Sequence, residues 1–562
     1  MIKKTAALVD LKKLSNSGSI KFKYSLLLKL IMSFPAFRKI QRWHENAPDN
    51  EDFKTYLDSI LEQMHVNIEI IGELNIPTSG GCIFVANHPT GLLEVIVWLN
   101  TILSIRTDLK MLANNWFDLI SVAKDNIISV NNFESKASSK NNVKSLIEAK
   151  KWLEKGGALM IFPAGEVAHW NWSSFGIEDP PWKKSVLSLA KKTDVPIIPC
   201  YSSSKNSLLF NLVGNIHPRL RTLMLAREFT AKQKKTIKIA TNSNVDNDYL
   251  AEFSSEDQKM AFVRLSTEAL NDKPFAEHLE ENQEIADKID ASLIQFEIDQ
   301  LKAVNETEDY VVYMCYGKET PHILQEIGRL REYNFRLIGE GSGKAIDIDR
   351  YDDHYQQLFV WDKGSHRILG GLRLGFCDDR EKKGVYFLDH VKIKPRFQEI
   401  FQQSIDFGRL FVVDDAPKDL NIILVLVRYL VQYLKQSQYK YLLGQVSIPS
   451  VYPKLALDII ASFLTTHYRD EKVYGLVKGK HAFKLTRKYD KYISALMPDI
   501  KTSKDVNNLL HKLFQGRIEI PSLLRFYLKC NTKLMSFNYD KYFGTVDALM
   551  IIHQDQLPKF FK

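Results

Sequence analysis

His88 and Glu94 are the first residues whose types and spacing offer chemistry. In FVANHPTGLLE an imidazole stands just past an apolar run, and a carboxylate follows six residues on. A histidine titrating near neutral pH can take a proton from a hydroxyl, while a carboxylate on its other ring nitrogen fixes the tautomer and stabilises the imidazolium. Pro89 and Gly91 favour a turn that exposes the ring and folds Glu94 back towards it. Taken alone, such a spacing more often belongs to a satisfied structural histidine, so other elements must agree.

IFPAGE, Ile161 to Glu166, is the next such element. A Pro-Ala-Gly turn at a strand end directs backbone N–H groups outward, suited to a carbonyl oxyanion or a polar acceptor. DPPWKKS, Asp179 to Ser185, then presents a tryptophan and two lysines before a helix, and VPIIPC forms the following strand. A second polar concentration lies further on. Arg329, Arg331, Phe335 and Arg336 occupy or follow a helix, Glu340 stands in GEGSG, and Asp347, Asp349 and Asp352 precede a strand. DIDRYD lacks the glycine hinge and terminal glutamate of a calcium loop, so no metal is expected. The aspartates are read as a solvated acidic loop or as holders of a cationic substrate. Arg373 in GGLRL and Asp406 with Arg409 in DFGRLFV complete the set. All three serve well as braces of a sheet, because buried charges must be paired in any case.

The elements that must position these residues differ between the two halves. From Asp52 to Pro199, short apolar runs (GCIFVAN, NIISVNN, GALMIFPAG, VPIIPCY) alternate with helical stretches, which predicts an α/β layered domain. The second half opens with the strand YVVYMCY and the helix HILQEIGRLREYNF. The strands QQLFVWD, RILGGLRLGF and KGVYFLDHVKI follow as a meander, then the long helix NIILVLVRYLVQYLKQ, an α+β order. The expected division is an amphipathic segment over 1–50, an α/β domain over 51–253, a helical connection over 254–303 and an α+β domain over 304–562. No internal repeat or low-complexity tract interrupts it.

The chain's 562 residues exceed one core, at roughly one domain per ~150 residues. A 45% hydrophobic and 25% charged composition is globular, and the net charge of +9 does not by itself choose between anionic lipid, an acidic protein and nucleic acid. Five scattered cysteines without CxxC spacing fit reduced thiols and exclude a zinc or disulfide framework. The N-terminus lacks the pattern of a cleaved signal, and no run of about 18 apolar residues predicts a membrane span. Ser19 to Trp43 combines an apolar side with Lys21, Lys23, Lys29, Arg38, Lys39 and Arg42. Such a segment can lie in the headgroup plane or cover a core as an ordinary amphipathic helix.

The ordered blocks FVANHPTGLLE, IFPAGE and VPIIPC resemble the glycerolipid acyltransferase family over about 60 to 220, nearest the branch of putative haemolysins and ornithine-lipid O-acyltransferases. The resemblance implies His88 as general base and Glu94 as its orienting partner, with Phe162, Pro163, Gly165 and Glu166 at the acceptor site. Glu94 stands where the family has Asp. NIISVNNF lacks the arginine that holds an acceptor phosphate, which argues against a glycerol-phosphate acceptor. From about 310 to 460 the motifs resemble the Gcn5-related N-acyltransferase fold, in the branch of acyl-homoserine-lactone synthases and ornithine-lipid N-acyltransferases. PSLLRFYLKCN and DKYFGTVDALMII match its tail, and Asp406 stands where Glu is usual. This resemblance implies Arg331, Phe335, Arg336 and Glu340 at the substrate end, the three aspartates on the amino-acid acceptor, Asp406 and Arg409 as a candidate buried pair, and Arg373 nearby.

Together these imply a bifunctional acyltransferase making an acyl-amino-acid lipid of ornithine or glycine type. The C-terminal domain would N-acylate the amino acid with a 3-hydroxy fatty acyl group, and the N-terminal domain would O-acylate that hydroxyl. The donor would be acyl carrier protein or acyl-CoA with no bound cofactor, the partners a lyso-lipid and a membrane surface, without nucleic acid. The location would be peripheral, on the cytoplasmic face of the inner membrane. The rivals are a single-activity lysophospholipid acyltransferase with a non-catalytic C-terminal half and a haemolysin-like membrane-active protein.

Overall fold

The computed structural model describes residues 35–48, 52–114, 121–130, 136–211, 218–271, 273–275, 282–378, 384–417 and 420–558. Most of the amphipathic stretch beginning at Ser19 lies outside these residues. Its described end, the helix Pro35–Glu45, buries Trp43 edge-on against Phe229, with ring centroids 5.9 Å apart, and so helps cover a core. Among the described residues no helix is long and apolar enough to cross a membrane.

Two compact units emerge. The first takes the chain up to 272 together with 486–499 and 511–517; the second takes the remainder. The expected connection over 254–303 is therefore not a linker. The helix Glu256–Glu268 packs on the strand Ile197–Ser202 of the first unit's sheet and buries Phe262 and Leu265. The helix Ala291–Ile298 belongs to the second.

In the first unit the strands are β1 (Asn67–Ile70), β2 (Cys82–Ala86), β3 (Leu109–Asn114), β4 (Ile127–Val130), β5 (Ala158–Ile161), a small hairpin of β6 (His169–Asn171) and β7 (Gly176–Glu178), β8 (Ile197–Ser202) and β9 (Thr236–Thr241). Seven of them form one sheet in the order β1-β9-β8-β2-β5-β3-β4, parallel except for β8 against β9. Parallel strands are covered on both faces, which is why CIFVA and ALMI are apolar and buried at every position. Because β2 and β5 are adjacent and parallel, the loops leaving their C-terminal ends emerge side by side.

The second unit holds β10 (Ala303–Glu306), β11 (Tyr310–Tyr316), β12 (Gln356–Asp362), β13 (Arg367–Phe376), β14 (Val391–Ile393), β15 (Ser404–Val412), β16 (Tyr441–Pro449), β17 (Val477–Gly479), β18 (Lys533–Asp540) and β19 (Thr545–His553). Its eight-stranded sheet runs β10-β11-β12-β13-β15-β16-β19-β18. Every pairing is antiparallel except β15 with β16, whose parallel course is made by the crossover helix Ile422–Gln436. The expected strand over 383–393 is corrected. Phe387–His390 is a short helix, only Val391–Ile393 is extended, and that strand pairs with β17 outside the main sheet. The reason is chemical: the Tyr386 and Phe387 N–H groups go to the Tyr355 hydroxyl and the Asp406 carboxylate instead of a strand ladder.

Candidate active sites

At the end of β2 the Asn87 side chain donates to Ser202 O at 2.9 Å and accepts from Ser202 N at 2.8 Å, pinning the loop to β8. The next residue is held by its backbone: His88 N–H reaches both Asp179 oxygens at 3.2 Å, and His88 O accepts from Ala168 N at 2.9 Å. Its ring lies against Phe162, with centroids 4.8 Å apart. His88 Nδ1 is 3.0 Å from Glu94 Oε1, within ion-pair reach although off the line of a straight hydrogen bond. The imidazole keeps 14% exposure, while the carboxylate has none.

Glu94 sits in the first turn of the helix Leu93–Leu103, where the helix dipole favours an anion. It accepts from Thr90 N at 3.0 Å, from Gly91 N at 2.7 Å and from the Thr90 hydroxyl. Burial alone would raise this carboxyl, but His88, Thr90 and Gly91 outweigh it and hold it below the usual carboxylate range. Gly91 is required here: φ is +95°, and a Cβ would lie 2.7 Å from Val167 Cγ2. With a carboxylate at Nδ1, the basic lone pair falls on Nε2, which has no protein partner among the described residues. Such a ring can take a proton from a hydroxyl.

The IFPAGE residues flank this ring. Half-buried Phe162 packs on it, Pro163 is buried with its carbonyl on Lys183 N at 3.0 Å, and Gly165 N closes the turn on Phe162 O at 3.0 Å. Glu166 is exposed. Asp179 and Arg264 were not singled out for any role by sequence reasoning. Asp179 is buried and also accepts from Trp182 Nε1 at 3.1 Å; burial raises its carboxyl, against the opposing pull of Arg264. Arg264 donates to the Asp179 and Pro180 carbonyls at 3.0 Å. The available signal was an aspartate directly before two prolines, a poor place for an unpartnered loop charge.

In the second unit, β15 and β16 pair only from Ser404–Phe407 against Tyr441–Gly444. Beyond that point β15 follows β13 and β16 follows β19, so the two strands part. A cavity of about 80 Å³ lies in the wedge, lined by Gly408 and Arg409 on one strand and Gln445 and Ser447 on the other. A bulge in β15 sets Arg409 at φ +54°, an extra residue that re-aims the side chain.

The predicted polar residues divide into two groups. Phe335, Glu340, Arg373, Asp406 and Arg409 line the cavity, whereas Arg331, Arg336 and the three aspartates do not. Asp347, Asp349 and Asp352 face arginines: Arg409 Nε is 2.9 Å from Asp347, Arg373 grips Asp349 with two bonds of 2.8 Å, and Arg331 meets Asp352 at 2.8 Å. Arg373 also reaches Asp352 at 3.0 Å. Arg336 turns away to Glu332 at 2.7 Å and to Gln283 O at 2.7 Å. The expected Asp406–Arg409 pair is likewise corrected. No ion pair joins them, and buried Asp406 instead accepts from Tyr355 Oη at 2.7 Å and Phe387 N at 3.0 Å.

Sequence reasoning missed Asp547 on β19 and Asp540 on β18, which also line the cavity. Burial pushes Glu340 up to about 8, Asp547 to about 7 and Asp406 to about 6; Asp547 adds to the rise of Glu340, and Asp540 to that of Asp547. The available signal for Asp547 was a lone carboxylate inside an otherwise apolar run, TVDALMIIH.

Residues 67–203 match a family model described as acyltransferase, and residues 330–426 one described as acetyltransferase (GNAT) domain. The chain is 28% identical over 220 residues to a glycine N(alpha)-acyltransferase of Phocaeicola vulgatus, across 34% of this chain and 64% of that one. A protein of the same name from Bacteroides thetaiotaomicron is 27% identical over 302 residues, 48% of this chain and 85% of that one. A lyso-glycine lipid O-acyltransferase of Phocaeicola vulgatus is 25% identical over 246 residues, 41% and 83%. Among solved structures, a 1-acyl-sn-glycerophosphate acyltransferase of Thermotoga maritima aligns at a TM-score of 0.27, 16% identity and 44% of this chain against 88% of its own, too loosely to carry weight. The chain thus carries an acyltransferase domain and a GNAT domain on α/β and mixed sheets, and it is an acyltransferase enzyme.

Proposed function

We propose that this chain makes a diacylated amino-acid lipid in two consecutive transfers at a membrane surface. The second unit N-acylates a free amino acid, glycine in the first instance, with a 3-hydroxy fatty acyl thioester. The first unit then esterifies the 3-hydroxyl of that product with a second acyl group. The observation that carries the reading is that one chain holds both devices. A His88–Glu94 pair suits a hydroxyl acceptor, and a parted strand pair beside a carboxyl-lined cavity suits an amine and a thioester. Relatives named for glycine N-acylation and for lyso-glycine-lipid O-acylation support glycine over ornithine as acceptor.

Chemically, His88 Nε2 takes the hydroxyl proton as the oxygen attacks a thioester carbonyl, and Glu94 steadies the imidazolium that results. As the C–S bond breaks, the ring passes that proton to the leaving thiolate. In the second unit, backbone N–H groups freed where β15 leaves β16 are suited to a thioester carbonyl, and proximity of the amine supplies most of the acceleration. The donor is acyl carrier protein, whose acidity suits a chain of net charge +9, or acyl-CoA. The test is reconstitution of the full chain with 3-hydroxyacyl carrier protein, labelled glycine and labelled ornithine, followed by lipid mass spectrometry. N-acylglycine is expected first and its O-acylated form second. Absence of any N-acylated amino acid overturns the reading.

A further inference from the structure

The cavity between β15 and β16 has its cations already engaged. Arg373 spends both terminal nitrogens on Asp349 and Asp352, and Arg409 faces Asp347 through Nε and Asp349 through Nη2 at 3.5 Å. Both guanidinium groups lie against aromatic faces, Arg373 over Tyr355 and Tyr386, Arg409 over Tyr386 and Phe543. The carboxyls of the same wall are not matched in this way. The Glu340 carboxyl has no hydrogen-bond partner among the described residues, and neither it nor Asp547 has an ion-pair partner there.

Asp547 is the most sharply defined of them. It is directly opposite Ser447 in the β16–β19 register, so both side chains share the cavity face. Only Oδ1 is occupied, by the Thr545 hydroxyl at 2.8 Å and the Ser447 hydroxyl at 3.0 Å. The residue is 2% exposed, and its other oxygen takes no hydrogen bond from the protein among the described residues while bordering the cavity. Asp540 and His390 stand beside it, each offering an atom within 4.8 Å, and their own contact is 3.4 Å. Glu340, Arg409 and Tyr386 complete the groups around it. A cavity wall with surplus carboxyl groups and donor-free oxygens is complementary to a small primary ammonium.

We propose that the free oxygen of Asp547, with Glu340 in the same cavity, receives the ammonium of the acceptor amino acid and takes one of its protons as the nitrogen attacks. This rests on the second unit being the N-acylating half. The step balances. The acceptor ammonium gives one proton to the Asp547 carboxylate, and the nitrogen lone pair then forms the C–N bond at the thioester carbonyl. The C–S bond breaks, the sulfur leaves as thiolate and takes the second nitrogen-borne proton, and Asp547 returns its proton to solvent. A carboxyl kept above its ordinary range by burial is suited to accept a proton near neutral pH.

The experiment uses the full chain with Asp547→Asn and with Asp547→Glu, 3-hydroxyacyl carrier protein as donor and labelled glycine as acceptor. Asn should lower kcat for N-acylation by about 100-fold or more and remove the limb of the pH profile near neutrality, and Glu should restore part of both. O-acylation of a supplied N-(3-hydroxyacyl)glycine by the same preparations should be unchanged, which reports an intact first unit, and the partial rescue by Glu reports an intact second one. With wild-type protein, glycinamide should compete with glycine and glycolate should not, since only the former carries the ammonium. Asn at wild-type rate with an unmoved profile overturns the assignment, as does competition by glycolate, or an N-acylation that stops with chelator and returns with an added divalent ion. Wild-type protein that acylates no amine overturns the broader reading instead.

Discussion

Tyr355 Oη donates to Asp406 Oδ2 at 2.7 Å while accepting the Tyr386 N–H at 2.8 Å, so one phenol ties the start of β12 to the segment after β13. The same Asp406 oxygen also takes the Phe387 N–H. A buried carboxylate and two backbone donors thus depend on a single ring position. Gly375 lets the ring occupy it, since a Cβ there would sit 2.1 Å from Tyr355 Cζ.

Tyr355→Phe should therefore lower the stability of the second unit by about 1–3 kcal/mol, because it leaves the Tyr386 N–H unpaired and takes a donor from Asp406. Gly375→Ala should do at least as much by displacing the ring. Chemical denaturation checks both. A Tyr355→Phe midpoint equal to that of the parent would show that the phenol holds nothing.

Asp352 offers a sharper contrast. It is 1% exposed and meets both Arg331 and Arg373, each equally buried, and these arginines hold its carboxyl well below the ordinary range against the opposite pull of burial. Asp352→Asn strands one buried cation and weakens the grip on another, a loss of about 3–5 kcal/mol. Asp349→Asn should cost less. Asp349 is 27% exposed, and its removal leaves Arg373 still paired with Asp352. Equal midpoints for the two variants would contradict the ranking.

These networks mark where the sequence stops being readable. The strand ends bearing His88 and IFPAGE were legible because apolar runs and turn residues are local signals, and a parallel sheet aligns the two loops. The three aspartates were legible as polar residues in an unusual place, but their partners were not. Arg331 lies 21 residues from Asp352 and Arg409 lies 62 from Asp347, and which cation meets which anion is decided by the sheet. Asp547 escaped for a different reason. β19 is buried at every position, so no alternation marks its cavity face. The helical segment around Glu256–Glu268 read as a connection because its polar residues are frequent, yet Arg264 and Gln258 are buried and satisfied inside the first unit.

The pH dependence of stability should have opposite signs for the raised and the depressed carboxyls. In the second unit Glu340, Asp547 and Asp406 have folded values raised above their unfolded ones, so they favour the fold fully at acid pH and lose that contribution as pH rises through about 6 to 8. Burial lowers His390, which works the other way below its ordinary value of about 6.5, so the clean window lies above that pH. Tm for the second unit should fall between about pH 6.5 and 8.5, with a shallower slope in Asp547→Asn. Glu94 in the first unit is depressed, so its contribution is present above about pH 4 and lost below it. Differential scanning calorimetry across pH checks both directions, and a Tm that rises from pH 6.5 to 8.5 would refute the first.

Glu94 serves as loop acceptor and as histidine partner, and two substitutions separate these roles. Glu94→Gln keeps an oxygen for the Thr90 and Gly91 N–H groups but removes the charge beside His88 Nδ1. It should preserve the fold while slowing O-acylation of an N-(3-hydroxyacyl) amino acid by about 100-fold or more, through the lost tautomer and the unsupported imidazolium. Glu94→Ala also leaves two buried N–H groups and a hydroxyl without acceptors, so it should add a stability loss of about 1–3 kcal/mol to the same kinetic defect. His88→Ala should match Gln in rate without the stability loss of Ala, and all three should leave N-acylation at the parental rate. Mass spectrometry of the products would then show the mono-acylated lipid accumulating. Glu94→Gln at parental O-acylation rate would mean that the carboxylate only braces the loop, and the His88 ring would have to find its orientation from Phe162 and the backbone alone.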